Sequence, residues 1–237
     1  MKKNAERLKK ALADSHQLAS GLDEPGFPLK ELELLQNWQR QRLASSYQDL
    51  ISQPRYEPAG NFFLDELYGG LNFRERDQEM ERVLPVMERM LPDEVLKVIA
   101  EAFELQSLSL EFDMTMTAEL VEAGWQHLDI ERYGNIYRST DGESQRQYQI
   151  ELIRRLGVAL NELVRHKLIL FLVRTVRRPA RAAGFGLLQS FLERGLLAFR
   201  QMGDGSTFVE TIWRREQEFS RRLFSADQNP LKDLGSF

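Results

Sequence analysis

Three histidines, His16, His127 and His166, and a complete lack of cysteine bound the chemistry open to this 237-residue chain. Without a thiol there is no disulfide frame, no thiolate metal site and no cysteine nucleophile. A helical di-iron centre asks for two Glu-x-x-His pairs with more glutamates on facing helices, and no such pair occurs. Glu162 and His166 stand four apart on one helix face, a single pair that makes a weak ligand set. His166 on an apolar helix also leaves a haem ligand open. His-Glu-x-x-His, Gly-x-Ser-x-Gly, the phosphate-binding Gly-x-x-x-x-Gly-Lys and Gly-x-Gly-x-x-Gly are all missing. Gly184 and Gly186 read as a helix contact or a helix break, because no strand precedes them. No catalytic residue and no metal ligand set is assigned, no cofactor is named, and the balance leans against an enzyme.

Charge is the more informative chemistry. The chain carries a net charge of −4 with a pI near 5.6, which argues against a general nucleic-acid binder. The charge is nevertheless segregated: residues 1–153 hold a net −11, residues 154–181 a net +7, and residues 182–237 balance. Within 93–123 eight acids face one base, Lys97, and Glu94, Glu101, Glu104, Glu111, Glu119 and Glu122 fall on one side of a helix. That row is either a solvated face, a surface packed on the arginine-rich segment, or a recruiter of hard cations or a basic partner. The basic segment ends in Arg174, Arg177, Arg178 and Arg181. Cations there oppose the negative end of a helix dipole, a structural reason for them. The functional alternatives are an anion or phosphate site, or contact with an acidic membrane surface.

Helices position these groups, and no credible strand pattern appears. Apolar spacing predicts helices over 2–19, 29–51, 62–68, 74–90, 93–123, 130–137, 140–178, 179–202 and 207–224. Pro54 and Pro58 read as breakers, Asn61 as an N-cap, and Pro85 as a kink. Thr140 with Glu143, and Thr207 with Glu210, have capping-box spacing. The segment 140–178 is apolar nearly all round, as expected of a buried central helix. The expectation is therefore all-α: a single bundle of eight or nine helices over 1–237, with a long central apolar helix. An N-terminal hairpin over 1–53 packs more loosely, and 225–237 form a flexible tail. The longest apolar run, 168–173, is far short of the about 20 residues a membrane span requires. The charged N-terminus lacks a signal peptide's apolar core, so a soluble, cytoplasmic protein is expected.

The stretch Asn61-Phe62-Phe63-Leu64-Asp65-Glu66-Leu67-Tyr68-Gly69 resembles the signature of bacterial FFLEELY-motif proteins, with Asp65 in place of a Glu. The later run Phe191-Leu192-Glu193-Arg194-Gly195, followed by Ala198-Phe199-Arg200-Gln201-Met202, is similar to the same group. The resemblance implies a bacterial origin and brings no activity with it. Physically, Phe62, Phe63 and Tyr68 are too apolar for water, while Asp65 and Glu66 face out or receive an arginine. The motif either plugs one end of the bundle, with an acid pairing to the arginines near 177–181, or lines a pocket or presents an aromatic patch to a partner. With Arg174, Arg177, Arg178 and Arg181 it forms the candidate ligand or partner site. The reading is a non-enzymatic module acting through protein partners or self-association. The alternative is a helical binder or enzyme with an internal pocket for an apolar or small anionic ligand, or a metal cofactor.

Overall fold

The computed structural model describes residues 2–64, 82–89, 91–140, 142–166, 171, 173, 175 and 177–234, with the side chains of 179 and 188 excepted. Regular structure among the described residues is helical throughout. In chain order the helices are α1 (Lys3–Gly21), α2 (Leu29–Ser46), α3 (Gln48–Ile51) and α4 (Glu57–Phe62). There follow α5 (82–89), α6 (Asp93–Glu122), α7 (Ile130–Thr140) and α8 (Glu143–Leu163). The last three are α9 (Arg177–Ala182), α10 (Gly186–Met202) and α11 (Ser206–Phe224). No helix among the described residues is long and apolar enough to cross a membrane.

α6 is the spine. Its 30 residues extend about 45 Å and contact α1, α2, α7 and α8. Its apolar positions serve several clusters in turn. Leu96, Ala100 and Phe103 meet Leu8 and Leu12 of α1 and Leu84 and Met87 of α5. Leu105 then meets Leu152 and Leu156 of α8, Leu110 meets Leu22 and Leu32, and Met116 meets Leu35, Tyr133 and Phe219. A single stripe would seat one neighbour, whereas buried positions on several sides seat four.

Charge complements this packing. Glu101, almost wholly buried, takes Arg7 of α1 at 3.5 Å and Arg155 of α8 at 3.8 Å. Arg7 also clamps Glu104 through two bonds of 2.6 Å. The acidic row is therefore mixed: Glu101 and Glu104 are packing contacts, while Glu94, Glu111 and Glu122 lie exposed. Asp113 is half-buried and accepts from Gln36 and Gln39 of α2. Burial pushes its pKa up, with the two amides and Arg146 partly opposing.

The last helix closes the bundle. α11 packs on α8, where Gly157 leaves room for Val209: a Cβ on that glycine would sit 2.8 Å from the valine. Arg215, 1% exposed, donates to both oxygens of Asp49 at 2.7 Å and to the Ser46 carbonyl at 2.9 Å. Glu216 receives Arg42 and the Tyr47 hydroxyl. Burial works against the Arg42 charge, but Glu216 more than offsets it and leaves the guanidinium pKa above its ordinary value. These bonds hold α2 and α3 against α11.

Several boundaries differ from the sequence expectation. Helix 29–51 divides at Tyr47, whose buried ring and hydroxyl face α11. Helix 140–178 ends at Leu163, followed by a turn at 164–166. There buried Asn161 accepts the Gly205 N–H at 2.8 Å, a tertiary tie that periodicity does not encode. Together with the break at Gly184, these divisions give the eleven named helices among the described residues where eight or nine are expected. Pro58 and Pro179 fall in first turns, where a missing N–H costs nothing. Asn61 lies inside α4 rather than capping it. Thr140 closes α7, its hydroxyl donating to the Ile136 carbonyl, and Gly142 takes the N-cap position of α8. α11 starts one residue before Thr207, with Asp204 accepting from the Ser206 N–H and hydroxyl. The real break before α10 is Gly184, at a positive φ that disfavours side chains. α1 and α2 each find their main contact on α6, and beyond α11 the chain turns back to seat Leu234 beside Phe219 and Leu223.

Asp204 yields a pH prediction. Bonds from Ser206 and Asn161 hold its pKa at about 2, below the ordinary 3.8. The unfolded chain therefore takes up this proton first, and the contribution, complete above 3.8, disappears as pH falls through about 2. Asp204→Asn should lose less stability than the parent on going from about pH 4 to pH 2, read by urea unfolding. Parallel losses in the two proteins would refute this account.

Candidate functional site

The two motif runs converge in space. α4 starts with Pro58 in its first turn, and Gly60 allows it to press on α3: a Cβ there would sit 2.6 Å from Ile51. This approach aims the Phe62 and Phe63 end of α4 at α10. Phe62 lies 5.4 Å from Phe191, and Phe63 lies 6.0 Å from Phe199 and 6.5 Å from Phe208, ring centre to ring centre. These are favourable aromatic spacings. Gly195 sits under Phe62, where a Cβ would come within 2.8 Å of the ring. Phe191 and Gly195, one helical turn apart, thus make the seat for the first phenylalanine of the motif.

The opposite side of α10 receives the basic segment. Gln189, 4% exposed, donates to the Val173 carbonyl at 2.7 Å. Glu193, four residues on, accepts from Arg177 at 2.8 Å. These two polar residues of α10 anchor the run leading into α9. Arg82 of α5 reaches the Gly184 carbonyl at 3.3 Å and lies over Phe185, so α5 also joins this end. Arg55 donates to the Met202 and Asp204 carbonyls at 2.7 and 2.5 Å, satisfying the end of α10.

Of the sequence-selected residues, Phe62 and Phe63 are half-buried against α10, and Arg177 is paired to Glu193. Arg178 and Arg181 are exposed, and no acid among the described residues pairs with them. Asp65, Glu66, Tyr68 and Arg174 lie outside the described residues. Gln189 and Glu193 were not singled out by sequence reasoning, since a buried polar residue leaves no trace in hydrophobic periodicity. Glu193 did stand inside the second motif run, which was the available signal.

Two other polar places lie elsewhere in the fold. The core lattice around Asp113 includes Arg146, which lies 3.9 Å over Phe112 and 4.3 Å over Tyr137 and reaches the Met116 sulfur at 3.0 Å. These contacts tie Arg146 into the core. A shallow groove between α8 and α11 is lined by Gln147, Trp213, Glu218 and Arg221. Arg221 and Arg222 already grip Glu218 and hold its carboxyl near a pKa of about 2. His166 and Glu162 are both exposed at the end of α8. Among the described residues no group of three or more His, Asp and Glu is placed to hold a metal ion.

The Phe62–Gly195 contact can be tested directly. A valine at 195 would collide with the ring, an overpacking penalty of about 1–3 kcal/mol. Gly195→Val should lower the melting temperature, and adding Phe62→Leu should recover part of the loss, a coupling of about 0.5–3 kcal/mol. Strict additivity of the two changes would show that the contact is not made.

No curated protein and no solved structure matches this chain. One family model does, over residues 23–230, a stretch that contains α4, the basic segment and α10. The chain belongs to that family, described as a domain of unknown function, DUF8198.

Proposed function

We propose that this chain is a non-enzymatic interaction or regulatory module that acts through a protein partner at the end built from α4, α9 and α10. The supporting observation is an imbalance at that end. Gln189, Glu193 and Arg177 are spent on holding the segment in place. Phe171, 63% exposed, and Arg178 and Arg181 are left facing outward. Exposed aromatic and arginine side chains are residue types enriched at protein interfaces. Phe62 and Phe63 serve as the seat that fixes α10 in this reading. Asp65, Glu66, Tyr68 and Arg174, outside the described residues, stay in the candidate set on the sequence alone. The FFLEELY resemblance joins this reading: the motif and its Phe191–Gly195 counterpart form one architectural lock, and the module comes from a bacterium. The absence of cysteine fits a reducing cytoplasm.

A photo-crosslinking residue placed at Arg181, and as a control at exposed Lys10 on α1, tests the reading in the host cell. Discrete protein adducts from position 181 and none from position 10 are expected. Equal patterns from both positions, or turnover of a substrate by the purified protein, would overturn it.

A further inference from the structure

Among the described residues, two that are not glycine hold a positive φ: Ala226 at 55° and Asp233 at 58°. Both lie in one segment, the run from the end of α11 to Leu234. That conformation crowds a Cβ, and glycine is the residue that adopts it freely. Ala226 takes it in the reversal that ends α11. There the Ala226 N–H donates to the Leu223 carbonyl at 3.1 Å and the Asp227 N–H to the Arg222 carbonyl at 3.0 Å. The chain then passes through turns, with Pro230 buried, to Leu234, which is 2% exposed. Leu234 joins the cluster that α2, α6, α7 and α11 build from Leu35, Met116, Tyr133 and Phe219. Past the cap, among the described residues, one hydrogen bond ties the segment to the bundle: Arg222 Nη1 donates to the Lys232 carbonyl. The other bonds are internal, such as the Asn229 N–H to Asp227 Oδ1 at 2.8 Å and the Lys232 N–H to the Asn229 carbonyl at 3.0 Å.

We infer that residues 226–234 form a latch that opens without unfolding the bundle, with Ala226 as its hinge and Leu234 as its catch. Closing the latch orders a run of backbone, which costs conformational entropy at every residue. Against that cost stand the burial of Leu234 and Pro230 and a few hydrogen bonds, and two strained dihedrals weaken the balance further. α11 itself is seated by ties that the latch does not share. Arg215 grips Asp49, Arg42 donates to Glu216, and the Tyr137 hydroxyl donates to Ser220. Arg138 donates to the Leu223 carbonyl at 2.7 Å, so the last turn of α11 stays satisfied when the latch leaves. Four helices therefore hold the cluster together, and the latch adds one leucine to it. Leu234 also lies past residue 230, where the stretch matched by the family ends. Segments held this thinly open at a free energy well below that of the whole fold. Closed, the chain's own leucine fills the socket beside Phe219 and Leu223; open, that apolar socket is bared. The device is independent of the partner reading at α4, α9 and α10.

The lack of cysteine makes the test direct, because an introduced thiol is the only one in the full chain. Leu234→Cys and Pro230→Cys put the reporter on the latch. Leu223→Cys and Leu35→Cys put it in the same cluster on α11 and α2, where both leucines are as buried as Leu234. Leu234→Cys and Leu223→Cys remove the same atoms, so truncation alone does not separate them. The rate of reaction with a water-soluble aromatic disulfide is measured without denaturant, and circular dichroism confirms that each variant is folded. Two core references are included so that the loss of one to misfolding leaves the comparison standing. Labelling at 234 and 230 is expected to run about 100-fold or more faster than at 223 and 35. Adding Ala226→Gly to a latch reporter relieves the hinge and should slow its labelling about fivefold. Adding Arg222→Ala, which cuts the side tie, should speed it. Equal rates on the latch and in the core would mean that the segment opens only with the whole bundle, and the inference would fall. Faster labelling on the latch that neither Ala226→Gly nor Arg222→Ala alters would overturn the assignment of hinge and tie.

Discussion

The burial of α6 on several sides at once is the constraint from which the rest of the architecture follows. A helix in that position must offer apolar contacts in more than one direction, and Leu96, Leu105, Leu110 and Met116 do so in turn along its axis. It must also dispose of eight acids, because a carboxylate removed from water without a partner is costly. Arg7, Arg155, Gln36 and Gln39 are the answers supplied by α1, α8 and α2. Each neighbour of α6 thus brings its own polar group to the surface it covers. The specificity of the packing lies as much in those polar matches as in the leucines.

The same logic explains why the charge segregation along the chain does not become a simple pair of opposed faces. Arg155 is the point where the basic segment reaches the acidic helix. The other described bases of that segment turn elsewhere. Arg154 goes to Glu151 and Glu210, Arg165 to Asp204, and Arg177 to Glu193. Helix α8 supplies the start of the basic run and α9 its end, and the turn at 164–166 sends them to different neighbours. What looked like one electrostatic block in sequence is divided among three surfaces in space, and the remnant that faces outward is small and local.

The sequence made the helical class plain, because periodic leucines and a lack of alternating patterns leave little room for strands. It also located most helix ends within a few residues, notably Met202 and Phe224, where Gly203 and a polar tail follow. It misplaced the ends governed by distant contacts. Tyr47 interrupts a good helical pattern because Glu216, 169 residues away, accepts its hydroxyl. Asn161 ends α8 because Gly205 donates to it from another turn. Thr140 and Thr207 had capping spacing, but Gly142 and Asp204 define the helix starts. At the candidate site, the two motif runs and the arginines were legible as unusual residues, whereas their docking on two sides of α10 was not. Gly195 gains its meaning only once Phe62 is seen above it.

The long reach of these ties has a consequence for how the chain is made. α1 is synthesised well before α6, yet its apolar face rests on that helix, and Arg7 meets a partner 97 residues later. At synthesis rates of about 5–20 residues per second, that interval is on the order of 5–20 seconds. Throughout it, Leu8 and Leu12 have no native surface to cover them. The wait of α2 is longer, since Arg42 meets Glu216 only after a further 174 residues. A helix that must idle for so long does better with a short apolar stripe and many charges than with a broad greasy one. The abundance of lysine, arginine and acid between Lys2 and Asp14 keeps the nascent segment in solution until its spine arrives.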